Sequence, residues 1–194
     1  MRIISGFLKG KKIDFLKSSI TRPLRDYVKE SIFNIINHSN FIDVKIENTN
    51  VLDLYSGVGS FGIECISRGA KKIMFVENDI KALSILKKNI DHLKIKDKSG
   101  IFNGKVINYL NNLNSLSKKN TFEIFFLDPP FAENFFLGDL KIIKNYNIFS
   151  QNHLVIIHRE KKTKDDFSEV LNILFTKTYG RSKVIFAKFN LSNF

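Results

Sequence analysis

The chain has 194 residues, 43% of them hydrophobic, which suits one globular domain with at most a short appendage and excludes global disorder. No apolar run approaches the ~18 residues of a membrane span. The lysine-broken start MRIISGFLKGKKI is not expected to be a signal peptide, and the single Cys65 excludes an internal disulfide framework or a cysteine-only metal site, so a reducing, cytoplasmic setting is expected.

Lys and Arg total 31 against 19 Asp and Glu, a formal charge of +12 that favours polyanionic partners. The excess is mostly lysine, in a chain also rich in Asn, Ile and Phe, so an A+T-biased coding sequence would produce the same surplus without a nucleic-acid partner. Its distribution adds a little: residues 1–30 carry Arg2, Lys9, Lys11, Lys12, Lys17, Arg22, Arg25 and Lys29 against three acids.

In chain order, residues 1–20 read as short extended pieces around Gly6 and Gly10, a hairpin. Thr21-Arg22-Pro23 then opens a helix, with Leu24, Val28, Ile32, Ile35 and Ile36 at helical spacing to about His38. Residues 39–50 are a polar loop, which sets off 1–40 as an N-terminal extension from 41–194. From residue 51 strands and helices alternate: a strand at 51–54, a glycine turn at 57–62, a helix to about Arg68, and a strand at 72–76 ending on Glu77. Asp79 caps a helix that buries Leu83, Leu86, Ile90 and Leu93. A weak strand at 101–102, a helix at 106–116, a strand at 123–127, a helix near 137–146 and a strand at 153–158 follow. Residues 170–179 and 183–191 form a closing hairpin about Gly180-Arg181-Ser182. The pattern predicts an α/β fold: a Rossmann-like, mostly parallel sheet covered on both faces, with a C-terminal antiparallel hairpin and a small N-terminal hairpin and helix. Ligands bind such sheets beyond the carboxyl ends of the strands, where every polar motif of this chain falls.

Asp53-Leu-Tyr-Ser-Gly57-Val-Gly59-Ser-Phe-Gly62 places G-x-G-x-x-G between a strand and a helix. Glu77, at the end of the next strand, can accept hydrogen bonds from ribose hydroxyls, so an adenosine-containing cofactor is indicated. Asp53 helps to choose which. It would repel a pyrophosphate, whereas it would welcome the ammonium and sulfonium cations of S-adenosylmethionine. A plain structural turn is the competing reading of the glycines, and an exposed strand terminus that of Glu77. Asn78 and Asp79 suit helix capping and cofactor contact alike.

Asp128-Pro129-Pro130-Phe131 is the most specific feature. Two prolines stop the strand and stiffen the corner, exposing the Asp128 carboxylate and the Pro129 carbonyl beside Phe131. Two acceptors can hold both hydrogens of an exocyclic base amine and turn its lone pair toward a methyl group, while Phe131 stacks on the ring. Alignment of amine and methyl can supply up to ~7–11 kcal/mol, so positioning outweighs base catalysis. The plain alternative is a strand-ending loop with a buried Phe.

Together, I-I-S-G-x-x-K-G at 3–10, T-R-P at 21–23, V-K-E-S-I-F-N at 28–34, L-D-L-Y-S-G-V-G-S-F-G at 52–62, R-G-A at 68–70, V-E-N-D at 76–79 and D-P-P-F at 128–131 resemble the bacterial RsmD family of class I, S-adenosylmethionine-dependent methyltransferases. The resemblance implies methylation of N2 of one guanine in 16S ribosomal RNA, with naked rRNA or the small ribosomal subunit as partner, S-adenosylhomocysteine as product, no metal and a monomeric, cytoplasmic enzyme. It implies that Asp53, Tyr55, Gly57, Gly59, Glu77, Asn78 and Asp79 line the cofactor and that Asp128, Pro129 and Phe131 receive the base. RNA would meet the N-terminal extension, with Arg2, Lys9, Lys11, Lys12 and Arg22 on phosphates. The chain departs from the family twice. Lys105 stands where relatives read the adenine amine with an acid or amide, leaving Asn103 or the Val106 amide to serve. His158-Arg159-Glu160 stands where relatives tend to carry acids, and a satisfied strand-end histidine is the plain expectation for His158. A DNA or RNA adenine-N6 methyltransferase, a nicotinamide dehydrogenase and a non-catalytic RNA-binding subunit are the competing functions.

Overall fold

The structure is a computed structural model that describes residues 1–16, 24–115, 121–131 and 134–190. Its elements are α1 (Asp26–His38), β1 (Asn50–Leu54), α2 (Ser60–Ser67), β2 (Lys72–Glu77), α3 (Ile80–Leu93), β3 (Ser99–Asn103), α4 (Val106–Ser115), β4 (Phe122–Leu127), α5 (Phe136–Tyr146), β5 (Phe149–Glu160), β6 (Leu171–Tyr179) and β7 (Ser182–Phe189). The strands form one seven-stranded sheet in the order β3-β2-β1-β4-β5-β7-β6. The first five are parallel, and β7 runs antiparallel to both β5 and β6. The expected α/β architecture and its terminal hairpin are therefore present.

The apolar runs are continuous because both faces of the sheet are covered. Val51, Ile124, Phe126, Leu154 and Ile156 pack with α1, α2 and α3 on one face. Their neighbours Leu52, Leu54, Phe125, Leu127, Val155 and Ile157 pack with α4 and α5 on the other. The strand alternation thus divides two apolar layers about one sheet.

Residues 1–16 lie on the first face. An isolated antiparallel bridge joins Arg2 to Lys12. Ile3, Leu8 and Ile13 share the apolar cluster of α1 and α2. Glu64 of α2 accepts the amides of Ile4 and Ser5 at 2.8 and 2.9 Å. Lys29 of α1 is fully buried, donating to the Arg2 carbonyl at 3.0 Å with Glu64 at 3.7 Å. Burial pushes its ammonium below the usual lysine range, partly offset by Glu64 and Asp26.

Three local expectations need correction. Helix α1 begins at Asp26, with Arg25 in an extended conformation at its cap, so it does not open at Thr21; Thr21, Arg22 and Pro23 lie outside the described residues. Gly62 is inside α2 and not in the turn before it. Finally, β5 extends from Phe149 and not 153, because its early residues pair with β4 across a register shift.

Candidate functional site

The site forms where β1, β2 and β4 end beside the last residues of β5, which continues to Glu160. Leu54 pairs with Val76 and with Leu127, and Leu127 pairs with Ile157. One step further along the chains stand Tyr55, Glu77, Asp128 and His158. A parallel sheet aligns these strand ends, so motifs far apart in sequence meet.

Asp53 is 1% exposed. Its Oδ2 accepts the Gly62 amide at 3.0 Å, while Oδ1 is buried with no hydrogen-bond partner among the described residues. Burial drives its carboxyl well above the ordinary range; the Gly62 amide opposes this, and the nearby charges of Asp128 and Glu77 reinforce it. Glu77 is also buried. It accepts the Gly57 amide at 2.6 Å, the Asn78 amide at 2.9 Å and the Asp79 amide at 2.8 Å. Neither Asp53 nor Glu77 nor the nearby Asp128 pairs with a Lys or Arg among the described residues; Asp128 instead meets the His158 ring.

The glycines separate by environment. Gly57 (φ +55°) faces open space: a Cβ built there meets nothing within 4 Å. At Gly59 (φ +85°) a Cβ would lie 2.4 Å from Leu86 Cδ1, and at Gly62 it would lie 2.3 Å from Phe75 Cε1. Gly57 alone offers ligand space, while the other two let α2 sit against β2 and α3. Tyr55 also has positive φ (61°), and its hydroxyl hydrogen-bonds the Asp139 carboxylate. Burial holds that carboxyl above its usual range, opposed by the Tyr55 bond.

Asp79 caps α3 through the Ala82 amide at 2.7 Å, so capping is its observed contact. Asn103 is exposed at the end of β3 and Val106 is the buried first residue of α4. Lys105 precedes that helix, and its carbonyl accepts the Asn108 and Tyr109 amides. The Val106 amide, at the first position of the helix, has no carbonyl one turn earlier in the helix to bond and is open to a ligand.

At the proline corner the Asp128 side chain is 21% exposed, and His158 Nδ1 lies 2.9 Å from its Oδ1. Pro129 is buried and Phe131 half-buried. Arg159, fully buried, donates from Nη1 to the Pro130 carbonyl at 3.0 Å and grips Asp165 through Nε and Nη2 at 3.0 and 3.1 Å. Its guanidinium lies 4.6 Å from the Phe136 ring centroid. His158 is thus a strand-end histidine whose Nδ1 meets Asp128, and Arg159, noted in the sequence only as part of a departure from the family, holds the corner together with Asp165, for which the sequence gives no sign. The signal for Arg159 is its place near the carboxyl end of β5, the strand adjacent to β4.

The structure does not bring the basic candidates to the acids. Arg2, Lys9, Lys11 and Lys12 are exposed on the N-terminal hairpin, and Arg22 lies outside the described residues. That hairpin nevertheless approaches the glycine loop: Asn89 of α3 accepts the Asp14 amide at 2.9 Å and donates to the Val58 carbonyl at 3.1 Å. A groove of about 730 Å³ between α1 and β6, lined by Tyr27, Asn34, Phe41, Phe175 and Lys177, contains none of the site residues. Among the described residues no group of three or more His, Cys, Asp or Glu could hold a metal, and no helix is long and apolar enough to cross a membrane.

Comparison with known proteins bears on the family and the fold. A family model described as Conserved hypothetical protein 95 matches residues 1–188. Ribosomal RNA small subunit methyltransferase D of Haemophilus influenzae is 34% identical over 182 residues, covering 93% of this chain and 89% of that protein. The chain belongs to the RsmD family. The protein of that name from Buchnera aphidicola (subspecies Baizongia pistaciae) is 31% identical over 196 residues, covering 100% and 94%. Among solved structures, a candidate methylase of Haemophilus influenzae superposes on this RsmD-family chain with a TM-score of 0.74 at 29% identity, covering 98% of each. A candidate methyltransferase of Escherichia coli, 22% identical, shares the fold with a TM-score of 0.79 over 99% of each chain. The sheet of this RsmD-family chain is accordingly the class I methyltransferase sheet.

Proposed function

We propose that this RsmD-family chain transfers a methyl group from S-adenosylmethionine to the exocyclic N2 of one guanine in 16S ribosomal RNA, leaving S-adenosylhomocysteine. The observation that carries the reading is the meeting of Asp53, Glu77 and Asp128, unpaired with Lys or Arg among the described residues, in a chain of net charge +12. Acids left without cations in a basic protein suit a cationic ligand, and they repel the pyrophosphate of a nicotinamide dinucleotide. The buried, unpartnered Oδ1 of Asp53 and the open space at Gly57 fit that ligand.

When bound, S-adenosylmethionine supplies an electrophilic methyl group on sulfonium. The chain's residues do the rest by placement. Asp53 would hold positive charge directly or through water. Glu77 already accepts three amides. A carboxylate has about four acceptor sites, so one ribose hydroxyl fits beside them and a second would displace one of these amides. Asn103 and the Val106 amide would read the adenine, and Gly59, Asn78 and Asp79 would shape the pocket around Tyr55 and Gly57.

On the substrate side, Asp128 Oδ1 is engaged by His158, leaving Oδ2 and the Pro129 carbonyl for the two hydrogens of the base amine. Phe131 would stack on the base, which must leave its own stack to arrive. After transfer the amine loses its proton to Asp128 or to water. Residues 1–40 would contact RNA, and 41–194 would carry the chemistry.

The test offers tritiated methyl donor to total RNA with wild-type and Asp128→Ala protein and maps the labelled nucleotide. Label on one small-subunit guanine, lost in Asp128→Ala with cofactor affinity kept within a few-fold, is the expected outcome. Label on adenine or on DNA would move the assignment to adenine-N6 transfer. RNA binding without transfer by the wild type would make the chain a binding subunit.

A further inference from the structure

We propose that His158 is a positioning residue for the reacting amine: its Nδ1–H fixes the plane of the Asp128 carboxylate so that Oδ2 faces the base. The inference rests on the methyl-transfer reading above and goes beyond it, to a residue that the sequence alone leaves as a satisfied strand-end histidine.

An ionised carboxylate oxygen only accepts, so the 2.9 Å contact to Asp128 Oδ1 requires the hydrogen on Nδ1, whatever the charge of the ring. The other ring nitrogen, Nε2, is buried and has no partner among the described residues. A buried polar atom without a partner is a standing cost, and an apolar side chain filling the same space would avoid it. The ring therefore does not owe its place to packing alone. What it gains is the contact to Asp128 and an edge-on packing of the Phe131 ring, 5.5 Å between centroids at 73°.

The placement is specific to the corner. The terminal torsion of an aspartate is soft and roughly two-fold, so an unrestrained carboxylate would present its oxygens over a broad range of directions. Prolines 129 and 130 stiffen the backbone but do not touch that torsion. His158 supplies the missing restraint on Asp128, while the next residue, Arg159, holds the Pro130 carbonyl at 3.0 Å. The end of β5 thus grips the side chain of Asp128, the carbonyl of Pro130 and the ring of Phe131 together.

Three variants and one spectrum test this. His158→Ala should lower kcat by about 10- to 100-fold, the loss expected when a reacting group is misplaced by about an ångström, with KM for the methyl donor within about threefold. His158→Asn, whose side-chain amide takes the place of Nδ1–H, should restore most of kcat. His158→Gln, which places its amide where Nε2 stood, should not. An unchanged kcat in His158→Ala, or rescue by Gln and not by Asn, overturns the proposal. Nitrogen-15 histidine spectra of the wild-type protein without substrate give a readout independent of turnover and of whether the His158 variants fold. Nδ1 of His158 should carry a proton that is lost or exchanges faster in Asp128→Ala. A bare Nδ1 beside a protonated Nε2 also overturns it. Failure of the wild type to methylate any RNA, with the Nδ1 proton present, would instead remove the function proposed above and leave the Asp128–His158 geometry standing.

Discussion

Replacing each glycine of the loop by alanine separates the fold from the site. At Gly62 the new Cβ would lie 2.3 Å from Phe75 Cε1 and 2.8 Å from Ile73 Cγ2. Both side chains are essentially fully buried and have nowhere to swing, so overpacking should cost about 1–3 kcal/mol. At Gly59 a similar clash with Leu86, at 2.4 Å, adds to a left-handed φ of +85°. The left-handed conformation costs an alanine about 1–2 kcal/mol, for a combined loss of about 2–5 kcal/mol. At Gly57, φ is +55° and no atom lies within 4 Å, so only the conformational penalty of about 1–2 kcal/mol applies. For a chain of this size each kcal/mol lowers Tm by roughly 2–4 °C. Gly59→Ala should therefore melt lowest, by roughly 4–20 °C, and Gly57→Ala should fall by only roughly 2–8 °C. Calorimetric titration with S-adenosylmethionine well below Tm should reverse the ranking. Gly57→Ala, whose methyl enters the open space, should lose more than about tenfold in affinity, whereas Gly62→Ala should stay within about threefold. A folded Gly62→Ala that loses the cofactor as badly as Gly57→Ala, or a Gly59→Ala that melts no lower than Gly57→Ala, would refute this division of roles.

Asp53→Asn should raise Tm at neutral pH and weaken S-adenosylmethionine binding. The folded pKa of Asp53 lies above its unfolded value of about 3.8, so the native state binds the extra proton and stability falls as pH rises through that interval. Melting curves from pH 4 upward should show a shallower decline in the variant; an identical slope would mean that Asp53 is not the group titrating. Asp165→Ala leaves the fully buried Arg159 without its carboxylate and should destabilise by about 3–5 kcal/mol in denaturant titration; a loss below about 1 kcal/mol would show that its remaining bonds, to the Pro130 carbonyl and to Asn134 Oδ1 at 3.4 Å, suffice. Charge reversal at Lys11 and Lys12 together should weaken RNA binding and flatten its dependence on salt, by roughly one unit of slope for each phosphate no longer neutralised; an unchanged slope places RNA elsewhere.

Much of the architecture is readable along the chain because its signals are local. Strand-length apolar runs, the cap at Asp79 and the strand-ending residues Glu77 and Asp128 each declare themselves within a few positions, and β1 to β5 and α2 to α5 follow from them. So does the location of the site, since parallel strands present their carboxyl ends on one side. The length of β5 escapes such reading because its early residues pair with β4 across a register shift that leaves no mark along the chain. Contacts between distant residues belong to the tertiary structure alone. Only the adjacency of β4 and β5 brings His158 to Asp128 and Arg159 to Pro130, across separations of about thirty residues that no periodicity records. The three glycines look alike in sequence, yet open space at Gly57 and the Leu86 and Phe75 side chains at Gly59 and Gly62 give them different tasks. A residue type states what chemistry is available; which partner it meets is a long-range property, fixed when the sheet closes its neighbours together.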